Sequence, residues 1–435
     1  MFEKKISFII ITMTEYIEKQ WREITSRNPI TDEEFSTGLK DFKFSVGQGY
    51  GFIPNLSYFR VELELTVAGA APARADGVSF ADGCVGNMFN NIYFNMGGQT
   101  VSSLTTGLGQ CEVLKNRLTK SKAYNDTIGK ATGFIPHHID RLLATAGPAN
   151  PGDREYEDQL QIQNQGRNRK MFVWKPALGI FDVSTPLGAG EYDIQLNPSQ
   201  DYVLSAIQSL QADASLVVGD NAGQVNVKVK NFRFYACMVR TNLPASGVET
   251  LHLMEMSVHT VNAPAGGDEI NEEVSVPSST RALSVFLQDT RAGKHSSVPP
   301  SKFHIAGDGN EASALTLQSY QIQYANMTKP TVRYSSLHSA TTDTLQQRYI
   351  NCALESGQFF NPSGFESYEQ YLERGPYLHE SFVKAADNLA TRVQVVANYG
   401  DIASAARLHI ISHYSSTVQV TRQNGMVVDL KQMNV

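Results

Sequence analysis

The sequence predicts an all-β chain of two tandem antiparallel sandwiches, and three observations carry that reading. Alternating apolar and polar runs recur from about residue 38 to about residue 422. Long turn-rich segments, rather than helices, separate those runs. One stretch of the first half is repeated in the second.

Composition narrows the class further. A chain of 435 residues has room for two or three domains. Charged residues make up 18%, below the usual quarter of a soluble protein, while two Trp, 18 Tyr and 21 Phe supply a core that packs rather than a disordered chain. The net charge of -6 leaves no basic surface that would make nucleic acid the main partner. With so few charges, the surface is left to Ser, Thr, Asn and Gln, which cost less than Lys or Glu to bury against another subunit. That is the balance of an assembling protein.

Cys84, Cys111, Cys237 and Cys352 show neither a CxxC pair nor metal-type spacing, so they read as reduced structural thiols. The apolar run Ile6 to Ile11 behind Lys4-Lys5 imitates a signal peptide but is short and lacks a small-residue cleavage site. Residues 1–12 therefore read as an extension ahead of Met13, and no secretion is expected.

Residues 1–37 are read as an N-terminal arm with an amphipathic helix over 14–26. Thr12 and Glu15 form a capping box, Ile17, Trp21 and Ile24 fall on one helical face, and Asn28-Pro29 stops it. Such a helix contacts a neighbouring subunit or folds back on its own domain. Five basic and four acidic residues among the first 30 rule out a nucleic-acid-binding arm.

The first sandwich is placed at 38–245. Alternation is clear in Phe42–Val46, in Phe59–Val67 and in Val225–Val239, and shorter strands are expected at Ile92–Phe94, Met171–Trp174, Tyr192–Leu196 and Leu216–Val218. The turn-rich run Asn242–Gly247 marks the boundary. The second sandwich is placed at 246–422, with strands at Leu251–Val261, Ala282–Leu287, Leu315–Tyr324, Arg392–Ala397, Leu408–His413 and Val418–Thr421. A helix is expected over Phe365–Leu389, broken at Gly375-Pro376. Residues 423–435 are read as a tail. Gly147–Arg169, Asn262–Glu273 and Arg291–Ala312 are loops long enough to be functional or inter-subunit surfaces.

The repeat is the most informative feature. Tyr93-Phe-Asn95-Met96-Gly-Gly-Gln-Thr100-Val101 matches Tyr324-Ala-Asn326-Met327-Thr-Lys-Pro-Thr331-Val332, and at the same offset Leu114 falls on Leu345 and Arg117 on Arg348. A second pair, Ile53-Pro54-Asn-Leu-Ser57 and Val276-Pro277-Ser-Ser-Thr280, leads into a strand in each half. Duplicated units of about eight strands with long loops and small inserted helices fit antiparallel sandwiches of the jelly-roll type.

Catalytic patterns are missing. There is no GxSxG, GxxxxGK[ST], HExxH or strand-to-helix GxGxxG. Gly47-Gln-Gly49-Tyr-Gly51 reads as a β turn, since no helix pattern follows it. His137-His138 with Asp140 reads as a loop or cap, and Asp308-Gly-Asn310-Glu311 lacks EF-hand spacing. His409 and His413, in an apolar strand, read as hydrogen-bonded structural residues. Asn55, Asn125 and Asn326 sit in glycosylation-type sequences that matter only in a secreted chain. No catalytic, cofactor-binding or metal-binding residue is assigned, and no enzyme is expected.

Two tandem jelly rolls, reduced cysteines and no chemistry resemble the double jelly-roll viral major capsid proteins, the lineage of adenovirus hexons, tectiviruses, large DNA viruses, virophages, adomaviruses and Polinton-like elements. Asn90–Val101 looks like the hydrophobic strand and glycine turn common there, and Trp174-Lys-Pro-Ala-Leu-Gly-Ile-Phe181 is similar in style. The resemblance spans about 38–422 and is architectural, with the chain at the compact, virophage-like or Polinton-like end and without the tower insertions of hexons.

The resemblance implies a pseudo-hexagonal homotrimer tiling an icosahedral shell. Partners would be neighbouring capsomers, a vertex (penton) protein and minor capsid proteins, with no sequence-specific nucleic-acid binding; location would be the virion, after assembly in host cytoplasm or nucleus. Gly147–Arg169 and Arg291–Ala312 would be outer loops or trimer contacts. Membrane contact stays open. The alternative is a tandem sandwich that binds a receptor or glycan, which predicts an exposed aromatic-and-carboxylate cluster. A third reading, a hydrolase on a β-sandwich, predicts paired carboxylates with separated pKa values.

Overall fold

In a computed structural model of the chain, the described residues are 18–28, 30, 35–72, 76, 78–134, 169–209, 216–264, 266, 269–289, 303, 317–324, 327–329, 342–358, 360, 364–375, 377–382, 392–399 and 405–433. Among the described residues ten strands precede residue 241: β1 (Lys19–Thr25), β2 (Lys40–Val46), β3 (Tyr50–Val67), β4 (Val78–Phe80), β5 (Phe89–Met96), β6 (Gln99–Leu104), β7 (Arg169–Trp174), β8 (Gly190–Pro198), β9 (Ile207–Ser209) and β10 (Val225–Arg240). Nine follow: β11 (Gly247–Ala263), β12 (Glu269–Ser275), β13 (Thr280–Asp289), β14 (Leu317–Tyr324), β15 (Met327–Lys329), β16 (Leu378–Ser381), β17 (Arg392–Tyr399), β18 (Ala406–Gln423) and β19 (Met426–Met433). Three helices matter below: α1 (Leu108–Thr119), α2 (Thr342–Glu355) and α3 (Tyr368–Glu373).

The sheets run β1-β10-β3-β7 and β2-β8-β5-β6 in the first half, with β4 paired to β9 as a small accessory. In the second half they run β11-β18-β13-β16 and β12-β17-β14-β15. Leaving aside β4, β9 and β19, both halves join their first, eighth, third and sixth strands in one sheet and their second, seventh, fourth and fifth in the other. Every pairing between these strands is antiparallel. This is the strand order of a jelly roll, present twice.

Period-two patterning explains the faces. In β2, Phe42, Phe44 and Val46 point inward between exposed Lys43 and Ser45; in β8, Tyr192, Ile194 and Leu196 do the same. The first core is aromatic: Phe42, Phe59 and Phe232 meet edge-on or tilted at centroid distances of 5.1 to 5.3 Å, and Phe89 stacks on Trp174 at 5.4 Å. The second core is built from Leu, Ile and Val, including Leu283, Val285, Ile322, Val393, Val395, Leu408 and Ile410. The Ile53–Ser57 and Val276–Thr280 matches become the same device. Each accompanies a break in register near the start of a long strand, and a hydroxyl bonds back to a carbonyl, Ser57 Oγ to Ile53 O at 2.7 Å and Thr280 Oγ1 to Pro277 O at 2.6 Å.

Several expectations are corrected. The helix over 14–26 is strand over its described part: Lys19–Thr25 pairs with Val239–Arg233, sending Trp21 outward and Ile24 inward. Helical spacing of three apolar residues lost to seven residues of ladder offered by β10. Leu216–Val218 is not a strand and makes one isolated bridge, Val218 to Val225. Over Phe365–Leu389 the described residues form the short α3 and then β16, while 383–390 lie outside them.

Leu408–His413 and Val418–Thr421 are one strand, β18. The polar stretch Tyr414–Thr417 stays extended where β18 changes neighbours, from β13 to β19. The expected loop Asn262–Glu273 contains most of β12, and the expected tail contains β19, paired to β18. Residues 147–168 and 291–312, except Phe303, lie outside the described residues.

The strand assignment of β1 is testable. Ile24 is its one buried side chain, so Ile24→Ala should lower stability by about 2–3 kcal/mol, while Gln20→Ala stays within about 0.5 kcal/mol. Urea unfolding of both variants checks this; equal effects would argue against β1.

Candidate functional site: the seam between the two jelly rolls

The side chains that chemistry would use converge where the halves meet. α1 opens after Gly107 and carries Arg117 in its last turn, at 0% exposure. Arg117 Nε donates to both carboxylate oxygens of Glu366 at 3.0 Å, Nη1 to Arg374 O at 3.3 Å and Nη2 to Tyr371 O at 3.4 Å. Its guanidinium lies 4.9 Å from the Phe303 ring centre and 4.6 Å from that of Tyr377. A buried cation needs this density of acceptors and ring faces. Burial pushes the Glu366 carboxyl upward, against the pull of Arg117 and Arg374. A second buried ion pair, Asp82 with Arg374 at 3.1 Å, joins the halves beside the first.

Two buried acids hold the segment after Trp174. Glu112 of α1 accepts from Ala177 N at 2.6 Å. Glu255 of β11 accepts from Ser102 Oγ at 2.6 Å and from Gly179 N at 3.3 Å, so both of its partners lie in the other half. Burial pushes each carboxyl up to about 7. Gly179 is required by proximity, since a Cβ there would come within 2.5 Å of Met254 O. At the far end Arg422 of β18 pairs with Glu249 and donates to Ala189 O at 3.0 Å and to the Tyr192 hydroxyl at 3.4 Å. There the β5-β6 turn uses Gly97 at φ 57°, and a Cβ would meet Val427 of β19 at 2.8 Å.

Three imidazoles sit on β16 and β18. Ser284 Oγ is 2.8 Å from His379 Nδ1 and 2.8 Å from His413 Nε2. His409 Nδ1 is 3.3 Å from Thr260 Oγ1, and its ring stacks on Phe286 at 5.1 Å. Burial pushes them down, to about 4 for His379 and His409 and about 3 for His413. They are hydrogen-bonded structural side chains.

Elsewhere the residues singled out in the sequence are scattered. Gly47–Tyr50 is the turn between β2 and β3, with Tyr50 N donating to Gly47 O at 3.2 Å. Asn125 is fully buried and hydrogen-bonded to Asn116, so it is no glycan acceptor. His137, His138, Asp140, Asp308–Glu311 and Asn326 lie outside the described residues. Among the described residues no three His, Cys, Asp or Glu side chains are grouped to hold a metal ion, and no helix is long and apolar enough to cross a membrane. A cleft of about 410 Å³ is lined by Lys115, Lys120, Lys175, Trp174 and the carboxylates of Glu112 and Asp182. Glu112 is engaged by Ala177 N and Asp182 by Lys115 Nζ at 2.6 Å. The geometry serves cohesion between rolls. Sequence matching did single out Arg117, but Glu366, Glu112 and Glu255 carried no local signal.

Comparison with solved structures settles the architecture. A chain of the Sputnik virophage superposes with a TM-score of 0.64 at 13% identity, covering 99% of this chain and 91% of that one. The mavirus major capsid protein gives 0.52 at 10% identity (95% and 90%), and the Faustovirus major capsid protein gives 0.53 at 8% (93% and 90%). This chain has the double jelly-roll fold of viral major capsid proteins. No family model matches the sequence, and no curated protein matches it. The double jelly roll is thus recognisable through its shape at identities where sequence carries little.

Removing one member of the buried Arg117–Glu366 pair strands the other. Arg117→Met should cost about 3–5 kcal/mol, and Arg117→Met with Glu366→Leu should recover most of it. Urea unfolding of the singles and the double checks this; additive losses would remove the pair from the seam's energetics.

The acids and imidazoles act in opposite directions with pH. Glu112 and Glu255, raised from 4.5 to about 7, contribute in full below about 4.5, and that contribution is lost as pH rises through 7. The histidines, lowered from 6.5, contribute in full above 6.5 and lose it as pH falls towards about 4 and about 3. Unfolding midpoints measured from pH 4 to 8 should therefore fall at both ends, and Glu112→Gln with Glu255→Gln should flatten the alkaline side. An unchanged alkaline limb would contradict the assignment.

Proposed function

We propose that this protein is a viral major capsid protein whose homotrimers form pseudo-hexagonal capsomers of an icosahedral shell. The observation that carries the reading is the duplication: two jelly rolls of identical strand order, side by side in one chain, sealed by buried ion pairs. Residues 38–245 and 246–422 are read as the two rolls, with β1 added to the first and β19 to the second.

Symmetry supplies the mechanism. Three chains around an axis present six similar units, so a threefold object has a nearly sixfold outline and can tile a flat facet. A rigid seam serves this role, because the angle between rolls within a chain sets the angles around the ring. The low charge content suits a surface that meets copies of itself. Partners are then neighbouring capsomers, a vertex protein and minor capsid proteins, and the location is the virion. In this reading the chain does its work by assembly, and no catalytic role is assigned.

Light scattering after size exclusion tests this directly. Three chains of 47.9 kDa give about 144 kDa, stable to dilution, with six-lobed particles in negative stain. A monomer at every concentration would overturn the reading.

A further inference from the structure

The two rolls are equivalent in topology but not in what covers them. In the second roll the middle of the outward face of the β11-β18-β13-β16 sheet is covered within the chain, while Met254 towards its end is exposed. Met256, Phe286 and Ile411 on that face are buried and belong to the same continuous core as the first roll. Val258 abuts Gly107 at the start of α1, where a Cβ would meet it at 3.0 Å.

The corresponding sheet of the first roll is β1-β10-β3-β7. Its register can be matched through the breaks inside β3 and β13. The first cross-strand row beyond the break is Glu23, Tyr235 and Tyr58 in the first roll and Met256, His413 and Ala282 in the second. The row in the second roll is buried or partly covered; in the first roll Glu23 is exposed and Tyr235 and Tyr58 are half-buried, and beside them Ile53, Cys237 and Val239 form a small buried cluster under exposed Trp21. Tyr58 and Tyr235 stack at 5.3 Å, and the Tyr235 hydroxyl donates to Glu23 Oε2 at 2.6 Å. Arg233 Nε lies 3.6 Å from Glu23. Trp21, 47% exposed, donates its indole N–H to Leu56 O at 3.1 Å, and Leu56 is itself exposed. Six of the seven β1 side chains are exposed.

Trp, Tyr and Arg clustered on a rigid sheet make the composition of an interface centre rather than of a solvated face. We propose that the outward face of β1-β10-β3 is the surface on which the second jelly roll of a neighbouring copy docks, through the side that carries α2. The seam inside the chain is the template. There, α1 of the first roll lies against the outward sheet of the second. α2 follows the β14-β15 hairpin as α1 follows β5-β6, and it exposes Leu354. Repeating the intrachain contact between chains joins unlike faces head to tail, and with two rolls per chain three copies close the ring.

The assignment rests on the capsomer reading, and one set of measurements separates the two. Wild-type mass is measured beside a Trp21→Glu, Leu56→Glu variant, both positions being exposed and outside the core. The expected result is a threefold drop in mass with unchanged circular dichroism and melting. A second measurement uses wild type alone. Trp174 is buried at 3% exposure, so acrylamide quenching reads Trp21, and it should fall several-fold on going from dilute monomer to assembled protein. A trimer that persists in the variant, with Trp21 equally quenchable in the assembly, overturns this surface and leaves the capsomer reading standing. A wild type monomeric at all concentrations overturns both.

Discussion

A guanidinium taken out of water must have its donors met by acceptors, and the seam is organised around that constraint at Arg117. Its fork takes both oxygens of Glu366 and two backbone carbonyls, from residues more than 200 positions away. Because Arg374 lends Arg117 its carbonyl while its side chain pairs with Asp82, the two buried ion pairs form one connected unit. Hydrophobic contact alone is non-directional and tolerates sliding. A bidentate pair, two carbonyls and two ring faces do not, so the ion pairs fix the placement of one roll on the other while apolar burial supplies cohesion.

The duplication is preserved in topology and abandoned in composition. The first core is packed with Phe, Tyr and Trp rings, the second with Leu, Ile and Val, and yet the strand order is the same. A jelly roll needs alternating inward positions and correct turns, and either kind of side chain satisfies that. The hairpins show the same drift. β5-β6 closes on Met96–Gln99 and β14-β15 on Tyr324–Met327, so the sequence match that sets Tyr93 on Tyr324 is three residues out of step there. At the helices it brings together two arginines that are both buried, Arg117 and Arg348, the latter 5.6 Å from the Tyr320 ring centre. The seam also recruits β19, which among the described residues has no counterpart in the first half, together with β18, to which it pairs.

The seam holds ionisable groups of opposite preference. Buried carboxyls at Glu112 and Glu255 favour the proton; buried imidazoles at His379, His409 and His413 refuse it. Both shifts arise from desolvation, which always disfavours the charged form, and their opposition makes stability fall on the acid side through the imidazoles and on the alkaline side through the carboxyls.

Period-two alternation was legible along most of β2, β3, β8, β10 and β11, because a strand buried on one face must alternate whatever its partner is. The Pro54 and Pro277 breaks and the Gly97-Gly98 turn were legible too, since proline and glycine act through local backbone chemistry. Sequence alone thus determined the all-β class, the duplication and the jelly-roll type. Tertiary structure decided the rest. Trp21 and Ile24 share a helical face by spacing, yet the free edge of β10 draws them into a strand on opposite faces. Charged β12 and β19 read as loop and tail, and backbone pairing to β17 and β18 makes them strands. The partners of Arg117, Glu112 and Glu255 lie far along the chain, and no local pattern encodes a contact whose two halves meet only after both sandwiches have closed.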